Sequence, residues 1–489
     1  MNANIAMVLP IALPIAAGFA AWKMRDRKQR NVLTMAALLA EVLIVGLLCL
    51  REGGELTLWN LTADLRVGLR LDGAGKWFAL LISAMWACVG LYSFTYMEHD
   101  KQDGRFYLFY LLTLGVLQGL SMSANLITLY MFYELMTLLS MPMVLQEKTK
   151  EAVAAAIKYL LYSVLGASMA LFGIFLFWKY GTTLEFTAGG VLTAESMAGH
   201  EELMRAASFL MLLGFGVKAG MFPLHGWLPT AHPVAPAPAS AVLSGVITKA
   251  GVLGAIRVAF YLAGAEFLRG SWVQYTWMGL ALFTVFLGSM MAYREDLFKK
   301  RLAYSTVSQV SYVLFGLSTM THAGVVGAML HIVFHSAIKN TLFMSAGAVI
   351  HQTGKTRVSE LRGIGKQMPV VMWCFVIVSA GLIGIPPTAG FISKWYLAGG
   401  AIAMEAGALS WLGPVTLLLS AVLTAGYLLS VAIRGFFPGD DFDYAGLEKA
   451  EPDWKMLVPM IVLAAAVLLM GMFPGALIRC AGDIASAIL

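Results

Sequence analysis

The chain has 489 residues, 59% of them hydrophobic and 13% charged, with a formal net charge of +6. Soluble proteins carry about 25% charged residues, so water is not its main solvent. Four scattered cysteines, Cys49, Cys88, Cys374 and Cys480, show no CxxC or metal-ligand spacing, and no Gly-rich phosphate loop follows a strand. That argues against iron–sulfur, zinc, haem or nucleotide chemistry and predicts neither cofactor nor metal within the chain.

A helix needs roughly 20 apolar residues to cross a bilayer, and that window returns about fourteen spans. They lie near 4–22, 33–50, 76–97, 106–122, 124–146, 152–178, 206–224, 237–264, 272–293, 303–320, 323–350, 369–400, 411–437 and 455–478. Backbone polar groups in lipid must be satisfied within the segment, so the expected fold is an all-α polytopic membrane bundle with no strands. No basic residue precedes the first span, unlike a cleavable signal peptide. The cluster Lys23, Arg25, Arg27, Lys28, Arg30 follows it.

Glu41 lies mid-way along the second span without a visible partner. Connections near 51–75 and 179–205 are the longest. Glu134 sits in the fifth span among apolar and aromatic residues, in TLYMFYELMTLLSMP, and Lys158 lies near one end of the sixth. The seventh span runs into VKAGMFPLHGWLPTAHPVAPAPAS, with Lys218, His225, His232 and five prolines. Proline inside a helix removes a donor and costs about 3 kcal/mol. Broken backbone at membrane depth must therefore face protein or a wet cavity. Lys249 is in the middle of the eighth span, and Arg257 is near enough to its end for snorkelling to account for it.

Further along, Arg294, Lys299, Lys300 and Arg301 form a second basic connection, and Lys355, Arg357, Arg362 and Lys366 a third. Between them HIVFHSAIKNTLF spaces His331, His335 and Lys339 at i, i+4 and i+8, along one helical face. The twelfth span is broken by Pro386, Pro387 and Gly390 in GLIGIPPTAGFISKWY, with Lys394 just beyond. The acidic connection 437–455 reads as a solvated loop or, more sharply, as a docking surface for a soluble partner. All basic clusters fall in odd-numbered connections, after the first, ninth and eleventh spans, which are inside if the amino terminus is outside. The positive-inside rule then puts them in the cytoplasm, both termini outside the cytoplasmic membrane, and removes any need for a nucleic-acid partner.

Breaks in the seventh and twelfth spans lie five helices apart, the pattern of a transporter built from inverted repeats. This predicts N-terminal helices 1–3 over 1–105 and two inverted five-helix units, helices 4–8 over 106–265 and helices 9–13 over 266–437. A cytoplasmic loop and last helix complete the chain over 438–489, with no appended soluble domain.

A charge at mid-bilayer costs at least ~2.5–3.5 kcal/mol, so Glu134, Lys218, Lys249, Lys339 and Lys394 each need a reason. Burial disfavours the charged form of such a group and a nearby opposite charge restores it, so an amine whose carboxylate partner approaches or withdraws is a switchable proton site. Imidazoles such as His225 and His335 relay protons at little cost. The broken stretch with Lys218 at its head reads as a wet hinge in a proton path. The blander reading, polar glue between helices, favours hydroxyls and amides over amines.

The stretches MFYELMTLLSMP, VKAGMFPLHGWLPTAHPVAPAPASAVLSGVITKAGVLGAIR, KRLAYSTVSQVSYV, HIVFHSAIKNTLFMSAGAVIH and GIPPTAGFISKW resemble one family over helices four to twelve. It is that of the antiporter-like subunits of respiratory complex I, membrane-bound energy-converting hydrogenases and multisubunit Mrp-type cation/proton antiporters. The resemblance implies an ion pair of Glu134 with Lys218, a central polar axis through Lys249, His335 and Lys339, and a terminal site at Lys394. Members with glutamate at the terminal position differ from this chain. No long lateral arm follows the fourteenth helix, as in the medium-sized subunits.

The expected function is a non-redox proton-translocating subunit of a redox-driven complex, complex I-like (NADH:quinone oxidoreductase) or hydrogenase-linked. Its partners would be other integral membrane subunits and soluble iron–sulfur subunits on the cytoplasmic side, with protons, or also Na+, as the transported ion. Alternatives are a subunit of a multisubunit Na+/H+ antiporter and a structural membrane scaffold. A quinone-binding catalytic chain lacks a supporting electron carrier.

Overall fold

A computed structural model describes residues 4–51, 53–63, 65–443 and 447–489, so part of the acidic connection lies outside the described residues. Every predicted span coincides with helix. Among the described residues, ten helices are long and apolar enough to cross a membrane. Outside those ten are Asp103–Ser121, Glu201–Ala219, Phe298–Ser318 and the interrupted pair Pro369–Ile383 and Ala389–Ile402.

Local chemistry sets many of the boundaries. Asn125 accepts from Thr128 N at 2.9 Å, Thr149 from Ala152 N at 3.1 Å, and Thr321 from Gly324 N at 3.2 Å. Each satisfies a donor that a helix start leaves orphaned.

The expectation of no strands is corrected in the connection after the second span. Glu55–Asn60 and Arg66–Arg70 form an antiparallel hairpin. ELTLWN alternates apolar and polar residues with period two, the strand signature. In a connection outside the bilayer, strand hydrogen bonds meet no lipid constraint. The hairpin is anchored by Arg70 N donating to Met122 O at 2.6 Å and by Arg66 Nε donating to Glu185 at 2.9 Å.

Connections segregate onto two faces. On one, Arg27 bonds Asp103 at 2.8 Å, Gln146 bonds Asp100 at 2.8 Å, Phe298 N donates to Thr356 O at 2.9 Å, and Gly363 N to Arg434 O at 3.1 Å. All the basic connections meet there. The hairpin and the carboxyl-terminal helix Gly475–Ile488 lie on the other face, where His322 Nε2 contacts Gly482 O at 3.3 Å.

The Ala237–Leu262 and His322–Thr353 helices form the centre, with 100% and 94% of their membrane windows buried. Arg27–Cys49 and Trp454–Met472, each 33% buried, form the rim. The central helices place their polar side chains away from lipid on every side, and those side chains make the site.

Candidate functional site

Glu201–Ala219 ends at Gly220, which has a φ of +80°. A left-handed residue stops the helix at little cost only when it lacks a Cβ. A short helix, Leu228–Val234, continues after the break. The Pro369–Ile383 helix ends the same way, at Gly384 with a φ of +94°, before Ala389–Ile402 begins. The two predicted breaks are thus real interruptions.

Lys218 lies in the last turn before the first break and is 0% exposed. Its Nζ donates to Thr137 Oγ1 at 2.9 Å, Tyr159 OH at 3.0 Å and Ser163 Oγ at 2.8 Å. It also lies 4.3 Å from the Tyr159 ring centroid and 5.7 Å from those of Tyr133 and Trp227. Ring faces favour a nearby cation. The Trp227 indole closes this cage by donating to Val217 O at 2.8 Å.

The expected direct contact of Glu134 with Lys218 is corrected. The amine's hydrogen bonds all go to hydroxyls, and Glu134 Oε1, one turn before Thr137, has no hydrogen-bond partner among the described residues. Three hydroxyls fill the donor's positions at contact distance.

Lys249, 1% exposed, sits in the centre of the bundle. Its Nζ donates to Ser244 O at 2.7 Å and meets His335 Nδ1 at 2.7 Å. A π-helical turn over Leu243–Ile247 precedes it, and such turns frequently mark functional sites. The His335 ring stacks on His331 with centroids 5.8 Å apart, and His331 stacks on Tyr312 at 5.5 Å. His331 Nδ1 is 2.9 Å from Ser393 Oγ.

Lys394 follows Ser393 in the chain. Its Nζ donates to Leu382 O at 2.5 Å and Ile383 O at 2.7 Å, capping the helix before the second break, and lies 5.3 Å from the Tyr312 ring centroid.

The predicted His331–His335–Lys339 stripe therefore divides. The imidazoles point toward Lys249 and Lys394, whereas Lys339 turns to Leu302 O, at 3.0 Å, and Ser305 Oγ. His225 is half-buried in the first break with Nδ1 unbonded, and His232 is fully buried with both ring nitrogens unbonded among the described residues.

Lys158 donates to Thr230 Oγ1 at 3.1 Å, beside the first break. Arg257 does not snorkel: it is 1% exposed, and its guanidinium forms a forked pair with Asp72, Nη2 to Oδ1 at 2.8 Å. Glu41 is 1% exposed with both carboxyl oxygens unbonded among the described residues.

The family model described as "NADH:quinone oxidoreductase/Mrp antiporter, TM" matches residues 123–424, which hold every candidate residue from Glu134 to Lys394. The chain belongs to this family. A second model, "NADH-Ubiquinone oxidoreductase (complex I), chain 5 N-terminus", matches residues 59–107. NADH-quinone oxidoreductase subunit N of Desulforudis audaxviator is 31% identical over 83% of this chain and 82% of its own length. Hydrogenase-4 component B of Escherichia coli K12 is 30% identical over 83% of this chain, and Na(+)/H(+) antiporter subunit A1 of Staphylococcus aureus JH9 is 30% identical over 86%. The matches span 62% and 54% of those two longer proteins.

The fold is shared with a chain of the Mrp complex from Dietzia sp. DQ12-45-1b, with a TM-score of 0.85 at 20% identity over 100% of this chain and 98% of that one. It is also shared with a chain of respiratory complex I from Thermus thermophilus, with a TM-score of 0.82 at 23% identity over 99% and 100%. This is an antiporter-like multi-pass membrane protein of the NADH:quinone oxidoreductase/Mrp family. Sequence reasoning centred on ionisable groups passed over the hydroxyl cage of Lys218. A signal for it was present: Tyr159 and Ser163 stand at i and i+4, and Thr137 at i+3 from Glu134.

Proposed function

We propose that this chain is the proton-translocating membrane subunit of a larger redox-driven complex, complex I-like or hydrogenase-linked. Protons move along Glu134, Lys218, Lys249, His335, Lys339 and Lys394, with His225 beside the first break. The observation that carries this reading is the 2.7 Å contact between Lys249 Nζ and His335 Nδ1, in a site where both residues are at most 1% exposed. An ammonium and an imidazole at that distance share one proton. The proton moves by breaking the Lys249 N–H bond and forming one at His335 Nδ1. Histidine suits this exchange because its two nitrogens alternate as donor and acceptor. Lys218 in its hydroxyl cage is the site whose proton affinity the approach of Glu134 would change.

The two helix breaks, each opened by a left-handed glycine, support two inverted five-helix units over 106–265 and 266–437. Helices 1–3 over 1–105 and the tail 438–489 flank them. Basic connections gathered on one face support a cytoplasmic side there, with both termini outside the cytoplasmic membrane. Integral membrane subunits are the expected partners, with soluble iron–sulfur subunits on the cytoplasmic face. The same residues serve a Na+/H+ antiporter equally well, and the antiporter-named relative favours that second reading.

Two experiments decide between these readings. In the assembled complex reconstituted into liposomes, Lys249→Ala and His335→Ala should abolish coupled transport per assembled complex. Wild-type turnover in both would return the axis to the role of polar glue. Mass spectrometry after mild-detergent purification identifies the parent: iron–sulfur, nickel–iron or quinone-module subunits support the redox readings, and small hydrophobic subunits alone support the antiporter.

A further inference from the structure

On the face that gathers the basic connections, a cleft of about 510 Å³ opens between the end of Leu9–Lys23 and the start of Asp103–Ser121. It is lined by three cations, Arg30, Lys101 and Arg105, against one carboxylate, Asp103. Arg27 Nε already holds that carboxylate at 2.8 Å and Arg30 Nη2 holds it too, so the cleft keeps an excess of positive charge.

Both lining guanidiniums have hydrogen-bond capacity left over. Arg30 is 6% exposed; its Nη1 donates to Met24 O at 3.0 Å, while its Nε has no partner among the described residues. Arg105 Nη1 is likewise buried and unbonded among the described residues. A charged donor buried without an acceptor is costly. The start of Asp103–Ser121 adds to the demand, because its N-cap Gln102 makes no side-chain cap. A Cβ at Gly104 would lie 3.5 Å from Arg30 Nη1, which sets the uncapped helix start directly beside the guanidinium. Such a start attracts an anion by its exposed amides and its dipole.

Further along the same helix the lining becomes apolar, with Leu108 and Phe109. From Asp103 to Phe109 is six residues, about 9 Å at 1.5 Å per residue. The headgroup layer is roughly 5–8 Å thick on each side of the bilayer. Cations at headgroup depth therefore give way to apolar side chains where hydrocarbon begins. Trp22, 52% exposed, completes the wall, with Phe19, 47% exposed, three residues before it. Exposed aromatics at a helix end mark the membrane interface.

We propose that this cleft binds an anionic phospholipid, with its phosphate at Arg30, Arg105 and the uncapped helix start. Its acyl chain then runs along Leu108, Phe109 and Trp22. The guanidinium fork matches phosphate oxygens and places two bonds at once, and basic pockets between membrane helices take such head groups. A soluble phosphate would meet the cations and leave the apolar wall bare. An acidic segment of a neighbouring subunit would meet the charges without needing hydrocarbon one headgroup's depth away. The order of charge and then hydrocarbon along one helix fits a lipid.

The test uses the assembled complex in proteoliposomes of phosphatidylcholine with a trace of photoactivatable lipid, a diazirine at the start of one acyl chain. Phosphatidylglycerol and phosphatidylcholine probes are compared by peptide mass spectrometry of adducts at Trp22, Leu108 and Phe109, relative to the whole chain. The phosphatidylglycerol probe should label these positions at least fivefold more, at about fivefold per cation contacted. The double variant Arg105→Gln/Lys101→Gln should bring the two probes level. Neither side chain holds Asp103, so the Arg27 and Arg30 contacts remain. Should the double variant fail to assemble, Arg105→Gln alone should lower phosphatidylglycerol labelling about fivefold. Equal labelling by the two probes in the wild type overturns the proposal, and so does a preference that survives the substitutions. Labelling by neither probe means that a neighbouring subunit covers the cleft, and overturns it too. Loss of the preference in excess glycerol phosphate would assign the cations to a soluble anion and exclude the lipid.

Discussion

Glu134 and Lys218 show what a contact distance can and cannot say. The amine is held by three hydroxyls and flanked by aromatic faces, so its site is stabilised by dipoles with no counter-charge in contact. Glu134 has an unbonded oxygen and sits one turn from the cage. On the proposed reading, that carboxylate approaches and withdraws, as a switch requires. Removing one member of a buried pair typically costs ~3–5 kcal/mol because the survivor is left uncompensated. Here the hydroxyls hold the lysine in place, so Glu134→Ala should assemble well and still lose coupled transport. Lys218→Ala should lose it too, and Glu134→Asp should retain part. Transport per assembled complex is the measurement, and near wild-type turnover in either alanine variant would overturn the switch. Glu134 and Lys218 stood out in the sequence as charges in apolar surroundings. The cage did not, because Thr137, Tyr159 and Ser163 are ordinary membrane-helix residues until three helices converge on one nitrogen.

At the scale of elements, the breaks and the buried ion pair play different parts. Gly384 combines a φ of +94° with a Lys394 Cδ that a Cβ there would meet at 3.0 Å. A side chain in the left-handed region costs about 1–2 kcal/mol, and the lysine would be pushed from the two carbonyls it caps. Gly384→Ala should therefore lower transport per assembled complex while a comparable fraction still assembles, and Lys394→Ala should reproduce the defect. Unchanged turnover would show that the break does not position Lys394. Arg257 predicts the opposite pattern. Its forked pair with Asp72 ties the Arg257–Leu262 turn to the start of Gly73–Tyr96. Arg257→Ala leaves Asp72 without its partner, so the thermal midpoint and yield of the complex should fall, while turnover per assembled complex stays near wild type. A selective loss of turnover would move Arg257 into the transport machinery. The sequence placed Arg257 near a helix end, where snorkelling explains most arginines. Its partner lies 185 residues away, beyond the reach of any local pattern.

For the whole molecule, the two faces carry different chemistry. Basic connections meet on one, held by contacts such as Arg27 with Asp103 and Phe298 with Thr356. The hairpin and carboxyl-terminal helix lie on the other. Basic connections are retained in the cytoplasm, so a cysteine introduced at residue 360 should react with a membrane-impermeant maleimide only in inside-out vesicles. One placed near residue 480 should react only in right-side-out cells. Labelling at 360 from outside would reverse the whole topology, and with it the direction of the proposed path.

The sequence by itself determined the solvent, the all-α class, the two breaks and the identity of the buried amines. Each is a local property: a run of apolar residues, a proline where a helix tolerates none, or a charge where lipid charges a penalty. Alternation in ELTLWN is equally local, but over six residues it is a weaker signal than the hydropathy of the flanking spans. Only the tertiary structure decided that His335 bonds Lys249 while Lys339 turns to Ser305, although His335 and Lys339 share one helix face. It also paired Asp72 with Arg257 and gathered the hydroxyls around Lys218. The reason is physical: helical periodicity states which side chains share a face, whereas the partner of each is set by which helices pack against that face.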